Sequence, residues 1–287
     1  MIGGGIVIAV AAAIAWVAWQ TASGNQTGKA ISHLSTGDFH SLAFSPTDAN
    51  IVFFGHHGGL MVSRNGGKDW QPTSLQNTDA MAVAVPSANP QIVYAAGHGV
   101  LVKSTDGGQT WSPLSHNLPG TDIHGFAVDP EDANKVFAHV VGQAGLMVSN
   151  DGGTTWVSMS GALPATAFNL ATGATGNILY AAAGEAGVWQ STDGGQTWAQ
   201  LAGVPGDGAI AIAYNRANKR LLITTLGNEA GLYGSDDSGQ SWKSLRLTGI
   251  FMAVASSPTD PNRLIVVDEE GWVYASRDGG STWSDSQ

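Results

Sequence analysis

The chain contains no cysteine. Disulfides, thiolate metal sites, c-type haem attachment and cysteine nucleophiles are excluded at once, and the absence suits an oxidising compartment. Charge is also sparse, at 12% of residues. The 12 lysines and arginines are scattered, and the formal net charge is −10. That balance opposes binding to nucleic acid or to anionic lipid by bulk electrostatics. What the chain has instead is glycine, 39 in 287 residues, beside 43% hydrophobic residues. Many glycines and few charges suit short strands joined by tight turns.

One stretch recurs. Ser104-Thr105-Asp106-Gly107-Gly108-Gln109-Thr110-Trp111 has counterparts at Ser63–Trp70, Ser149–Trp156, Ser191–Trp198, Ser235–Trp242 and Ser276–Trp283. The shared pattern is Ser-x-Asp-x-Gly-x-Thr/Ser-Trp. Its first copy departs twice, with Asn65 for Asp and Asp69 for Thr. The tryptophans are spaced by 41, 45, 42, 44 and 41 residues, a period that signifies a propeller, solenoid or array. Asp-Gly between apolar strands is a strong hairpin signal. The carboxylates of Asp106, Asp151, Asp193, Asp237 and Asp278, and Asn65 in the first copy, are expected to accept bonds from their own turns. Trp70, Trp111, Trp156, Trp198, Trp242 and Trp283 are expected to wedge beside their sheets and to use the ring N–H as a donor. Turn chemistry therefore accounts for the box without any ligand.

This pattern resembles the Asp-box (BNR) repeat of β-propellers, over about residues 30 to 287. That family includes sialidases, sortilin-like receptors, photosystem II stability and assembly factors, and secreted bacterial proteins classed with glycosyl hydrolases. The resemblance implies a propeller and leaves the activity open. The sialidase members imply three arginines gripping a carboxylate and an Arg-Ile-Pro motif. The motif is absent. Arg64 and Arg277 lie inside boxes, while Arg216, Arg220 and Arg263 lie in or beside turns at the box end.

Each unit reads as four strands, A to D. In the first, His40–Ser45, Ile51–Gly55 and Leu60–Ser63 are A, B and C, with D following Trp70. Four strands per repeat make one blade, so the expected fold is all-β, a six-bladed propeller over residues 30–287. Strand A is rich in alanine, as crowding at an axis demands. The sixth unit ends soon after Trp283. Residues 30–35 resemble the D strand of other units and are expected to complete that blade, leaving no open seam.

Ahead of the propeller, Ile2 to Trp19 is 18 residues without a charge. At 1.5 Å per residue it is just long enough to cross a thin hydrocarbon core. No basic residue precedes it, and Trp16 and Trp19 close it as interfacial rings do. Residues 1–20 are expected to form a membrane anchor, the alternative being a cleaved signal peptide, with 21–29 a polar linker. Gly5, Ala9 and Ala13 form a small-residue stripe suited to helix packing. The propeller is then expected outside the cytoplasm, periplasmic or at the cell surface.

Chain order sends the A–B turns and boxes to one end of the propeller, and the B–C loops and D–A connections to the other. Six of the eight histidines map to that second end. His56, His57, His98 and His139 end strand B, and His40 and His124 start strand A. Glu185, Glu229 and Asp268, Glu269 and Glu270 hold the B–C positions of the other blades. Imidazole and carboxylate without thiol suit a divalent transition metal such as zinc, copper, iron or nickel. Three readings follow: a non-enzymatic scaffold bound to membrane protein subunits through the helix and a propeller face; a glycosyl-hydrolase-like enzyme using Glu185, Glu229, Asp268 and Glu269; or a metal or small-ligand binder.

Overall fold

The structure is a computed structural model that describes residues 28–143 and 145–283. Among them the strands form six antiparallel four-stranded sheets in a ring. The expected membrane helix, its Gly5, Ala9 and Ala13 stripe and most of the linker lie outside the described residues. Within the described residues no helix is long and apolar enough to cross a membrane.

Burial follows radial position. The B strands lie between two neighbouring blades and are covered on both faces. They therefore read as unbroken apolar runs rather than alternating ones: Val93–Gly97 and Val136–Val140 are buried throughout. The outer strands are the most exposed, and in four blades they are only two residues long, as at Ser112–Pro113 and Val157–Ser158. The A strands line a central cavity of about 200 Å³, to which each contributes an equivalent alanine: Ala43, Ala84, Ala127, Ala171, Ala213 and Ala255.

The ring closes as expected from the N-terminal segment. Ser32–His33 pairs antiparallel with Trp272–Ser276 and becomes the outer strand of the sixth blade. Hydrogen bonds from Ile31 N to Val273 O (2.8 Å) and from Leu34 N to Gly271 O (2.9 Å) extend the pairing. Ser32 Oγ also donates to Gly67 O of blade one at 2.5 Å, tying the seam on both sides.

Each box is an internal clasp. In blade two, Ser104 Oγ donates to Asp106 Oδ1 (2.7 Å) and accepts from Gly108 N (2.8 Å). Asp106 also accepts from Thr110 N (2.9 Å) and Thr110 Oγ1 (2.5 Å). The first box inverts this chemistry: Asn65 Nδ2 donates to Asp69 Oδ2 at 2.6 Å, so the two departures from the pattern compensate each other. Bonds from Thr197 and Ser191 hold the Asp193 carboxyl down at about 2, and bonds led by Ser241 do the same for Asp237.

The second glycine position of each box (in blade five Ser238 takes the first) faces outward from its own blade. Gly67, Gly108, Gly153, Gly195, Gly239 and Gly280 have φ of 93, 87, 95, 93, 91 and 90°, a region that strains any other residue. Each is pressed on the preceding blade. A Cβ at Gly108 would stand 3.0 Å from Phe53 Cε1, and one at Gly195 would stand 2.7 Å from Leu146 Cδ2. Gly67 meets Ile265 and Val273 of blade six, so the same contact completes the circle.

The tryptophans depart from expectation in one respect. Trp156 Nε1 donates to Gly153 O (2.8 Å), Trp283 Nε1 to Leu245 O (2.7 Å) and Trp70 Nε1 to Ser32 Oγ (3.3 Å). The ring nitrogens of Trp111, Trp198 and Trp242 are buried without an acceptor. Packing against the neighbouring blade, rather than a fixed N–H bond, is what the six share.

Gly195→Ala combines positive φ with a clash and is expected to cost about 1–3 kcal/mol in chemical denaturation. An effect under 0.5 kcal/mol would show that the inter-blade seat is slack. Acid should act through the boxes. The folded carboxyls titrate below the ordinary aspartate value of 3.8, so their stabilisation is complete above about 4 and is lost as pH falls towards 2. Thermal melts from pH 5 to 2 should decline over that window, and Asp193→Asn should lessen the slope.

Candidate functional site

The end of the ring that carries the B–C loops is organised by one backbone pattern. Each D–A connection passes beside the B–C loop of the preceding blade. Asn77 N donates to Gly58 O (2.9 Å) and Ala80 N to His56 O (3.1 Å). One blade on, His98 and Asp122 form an antiparallel bridge, with Gly99 N donating to Thr121 O at 2.7 Å. Gly97 lets the connection that enters blade two lie close to that blade's own B strand as well: a Cβ there would fall inside contact distance of Asp79 O. Asp79 and Asp122, in two successive connections, are thus delivered between histidines of two blades.

The result is an alternating row across blades one to three: His40, Asp38, His57, Asp79, His98, Asp122, His124. His40 Nε2 lies 2.9 Å from Asp38 Oδ2, and His57 Nδ1 lies 3.6 Å from the same oxygen. His57 Nε2 is 3.6 Å from Asp79 Oδ1, and His98 Nδ1 is 2.5 Å from Asp79 Oδ2. His98 Nε2 and His124 Nε2 are each 3.0 Å from Asp122 Oδ1 and 2.9 Å from one another. Neighbouring rings also touch, with centroids 4.6 Å apart for His40 and His57 and 5.1 Å for His98 and His124.

Of the six histidines expected at this end, four enter the row. His56 stands apart, stacked on Phe54 and accepting Gly58 N at 3.0 Å on Nδ1. His139 is wholly buried beneath the site, and neither ring nitrogen has a hydrogen-bond partner. Its strand position points it into the packed interior opposite Gly125, not to the rim. Burial, with the charge of His124, lowers its pKa to about 4. Burial also lowers His124, against the attraction of Asp122. Burial alone would raise Asp38, but bonds from His40 and from the His57 N–H outweigh it and hold the carboxyl below its usual range.

Asp38, Asp79 and Asp122 are the partners that residue-type reasoning passed over. Their signal was positional: Asp38-Phe-His40, Asp79-Ala-Met81 and Asp122-Ile-His124 occupy one place in successive repeats. Only an alignment of the repeats on one another exposes it.

The carboxylates proposed for catalysis are not equivalent. Glu185 and Glu229 are exposed on the other half of the rim, where Glu229 Oε2 accepts from Gly206 N at 3.3 Å. Asp268 is 2% exposed. Its Oδ1 accepts from Glu270 N (3.0 Å) and Trp272 N (2.8 Å), and its Oδ2 from the Tyr274 hydroxyl (3.2 Å). That carboxylate builds a turn. Partial covering, with the charges of Asp268 and Glu270, pushes the Glu269 carboxyl up.

The two ends of the ring differ in charge. The B–C loops and D–A connections carry Asp38, Asp79, Asp122, Glu185, Asp207, Glu229, Glu269 and Glu270, and no lysine or arginine. The box end carries acids too, among them Asp48, Asp106, Glu131, Asp151, Asp236 and Asp260, but it sets cations beside them, including Arg64, Arg216, Arg220, Arg263 and Arg277. At the edge of the acidic end Trp272, 42% exposed, lies 4.5 Å from the His33 ring.

Comparison with known proteins agrees with this architecture. Residues 29–163, which hold the whole row, match the family described as photosynthesis system II assembly factor YCF48. Residues 186–287 match the sortilin (Vps10), neurotensin receptor 3 family. No curated protein sequence matches the chain. Among solved structures, a GH74 enzyme from Niastella koreensis superposes with a TM-score of 0.63 at 20% identity, over 90% of this chain and 46% of that one. The GH74 xyloglucanase from Xanthomonas campestris gives 0.61 at 16%, over 90% of this chain and 55% of the other. The chain thus spans about half the length of these enzymes. YCF48 bound to D1 peptide gives 0.56 at 19% identity, over 91% and 84% of the respective chains. At such identities the likeness is one of fold. The chain is a six-bladed propeller of Asp-box repeats, similar in its first half to the YCF48 family and in its last third to the sortilin family.

Proposed function

We propose that this protein is a non-enzymatic binding or scaffolding subunit of a membrane protein assembly, which seats a basic segment of a partner polypeptide on its acidic end. The observation that carries this reading is the confinement of the cations: eight carboxylates and no Lys or Arg lie in the loops of one end, whereas cations accompany the acids of the other. Such a surface attracts a cationic partner and repels anionic competitors. Trp272 offers an aromatic anchor of the type that dominates interface energetics, at the rim of the same end. A structural neighbour, YCF48, has been solved with a peptide of D1, a precedent for a propeller of this shape holding a polypeptide.

The apolar run Ile2–Trp19 would tether the propeller to a membrane on its extracytoplasmic side, which would bring the acidic end to juxtamembrane segments. The hydrolase reading finds less support. Asp268 is consumed by its turn, and Glu185 and Glu229 have no feature that marks one as acid and the other as nucleophile.

A fluorescently labelled Gly-Ser-Lys repeat peptide serves as the probe. The full chain is expected to bind it with an affinity that weakens as salt rises. Joint Glu185→Lys, Glu229→Lys and Glu269→Lys substitution should reduce binding at least about tenfold. Glu131→Lys at the box end should leave it within about twofold. Equal loss in both, or no salt dependence, refutes the assignment of this end.

A further inference from the structure

We propose that His98 Nε2, His124 Nε2 and Asp122 Oδ1 form a binding site for a divalent first-row transition-metal ion, with Asp79 orienting His98 from behind. The argument begins with protons. A carboxylate only accepts, so Asp79 Oδ2, 2.5 Å from His98 Nδ1, requires that this nitrogen carry a hydrogen. In the neutral form of the ring that bond leaves the lone pair on Nε2, the nitrogen available to a metal. That lone pair faces Asp122 Oδ1 at 3.0 Å and His124 Nε2 at 2.9 Å. One hydrogen at most, on His124 Nε2, remains to serve the triangle. Asp122 Oδ1 is buried and accepts no well-formed hydrogen bond. Three electron-rich atoms converge with too few protons between them, and a single cation at their centre satisfies all three.

The edges of the triangle, 2.9, 3.0 and 3.0 Å, select the coordination geometry. Bonds of about 2.1 Å at right angles give edges near 3.0 Å, the face of an octahedron; a tetrahedral ion at the same bond length needs about 3.4 Å. Two imidazoles and a carboxylate on one face leave further positions open, the donor set used by octahedral and five-coordinate iron, cobalt, nickel and zinc. Nitrogen donors argue against calcium and magnesium. The Asp79–His98 bond supplies the carboxylate–histidine support that fixes ring orientation at metal sites. Access is available too: the side chains of His98 and Asp122 are 37% and 39% exposed.

The other two groupings in the row do not share these properties. Asp38 Oδ2 already accepts the His57 N–H at 2.6 Å. The middle grouping, His57, Asp79 and His98, includes the protonated Nδ1 of His98. This inference is independent of partner docking, since a bare ion is its probe.

The test uses the untagged full chain after chelator treatment. Calorimetric titration with Zn²⁺ and with Ni²⁺ is expected to show one ion per chain. Co²⁺ should give the weak visible bands of a five- or six-coordinate ion. Asp79→Asn should weaken affinity about 10–100-fold, Asp122→Asn and His98→Gln by more, and His116→Gln not at all. Because the ligand variants risk misfolding, Cu²⁺ electron paramagnetic resonance on the unmodified chain counts nitrogens directly. Two imidazole nitrogens support the site. The absence of saturable one-to-one binding, fewer than two nitrogens, or unchanged affinity in folded Asp122→Asn overturns it.

Discussion

The structure depends on the seat of each box's second glycine against the blade before it. A propeller has no central core. Its blades are sheets whose stability comes from face-to-face burial between neighbours, so one contact type repeated around the ring must carry the assembly. Here the backbone at positive φ brings the turn within reach of Phe53, Leu101, Leu146, Leu201, Leu245 and Ile265, one contact per interface. The Asp and Ser of the box hold the turn in that conformation. Their hydrogen bonds are local, but their consequence is the spacing between sheets.

The same logic of neighbours creates the histidine row. No single blade contains it. A D–A connection belongs to one blade but runs alongside the B–C loop of the blade before, so any residue it carries is shared between two units. Asp79 reaches His57 of the first blade and His98 of its own, and Asp122 reaches His98 of the second and His124 of its own. Repetition of sequence becomes alternation of chemistry.

The blade count, the box clasps and the closing strand were legible in the sequence because each rests on local spacing. Ser104, Asp106, Gly108 and Thr110 interact within one turn. The expectation that residues 30–35 finish the sixth blade followed from counting strands. The site was legible only by residue type. His40, His57, His98 and His124 were placed at the correct end, yet His139 and His56 were grouped with them. Strand alternation turns one inward, and stacking on Phe54 engages the other. Asp38, Asp79 and Asp122 were missed because their roles arise between blades. Asp268 differs for the opposite reason: its partners, Glu270, Trp272 and Tyr274, are all local, and an acid at a loop position does not reveal them by type.

The closing strand has a consequence for how the molecule comes into being. His33 meets Glu270 across 237 residues of sequence. During synthesis the strand Ser32–His33 has no sheet to join until Trp272–Ser276 has followed. Five blades can form in order as nascent units, whereas the sixth waits on both extremities and exposes an unpaired edge meanwhile. Such a long loop-closing step places the slow event of folding at the seam, where topology rather than local propensity sets the pace.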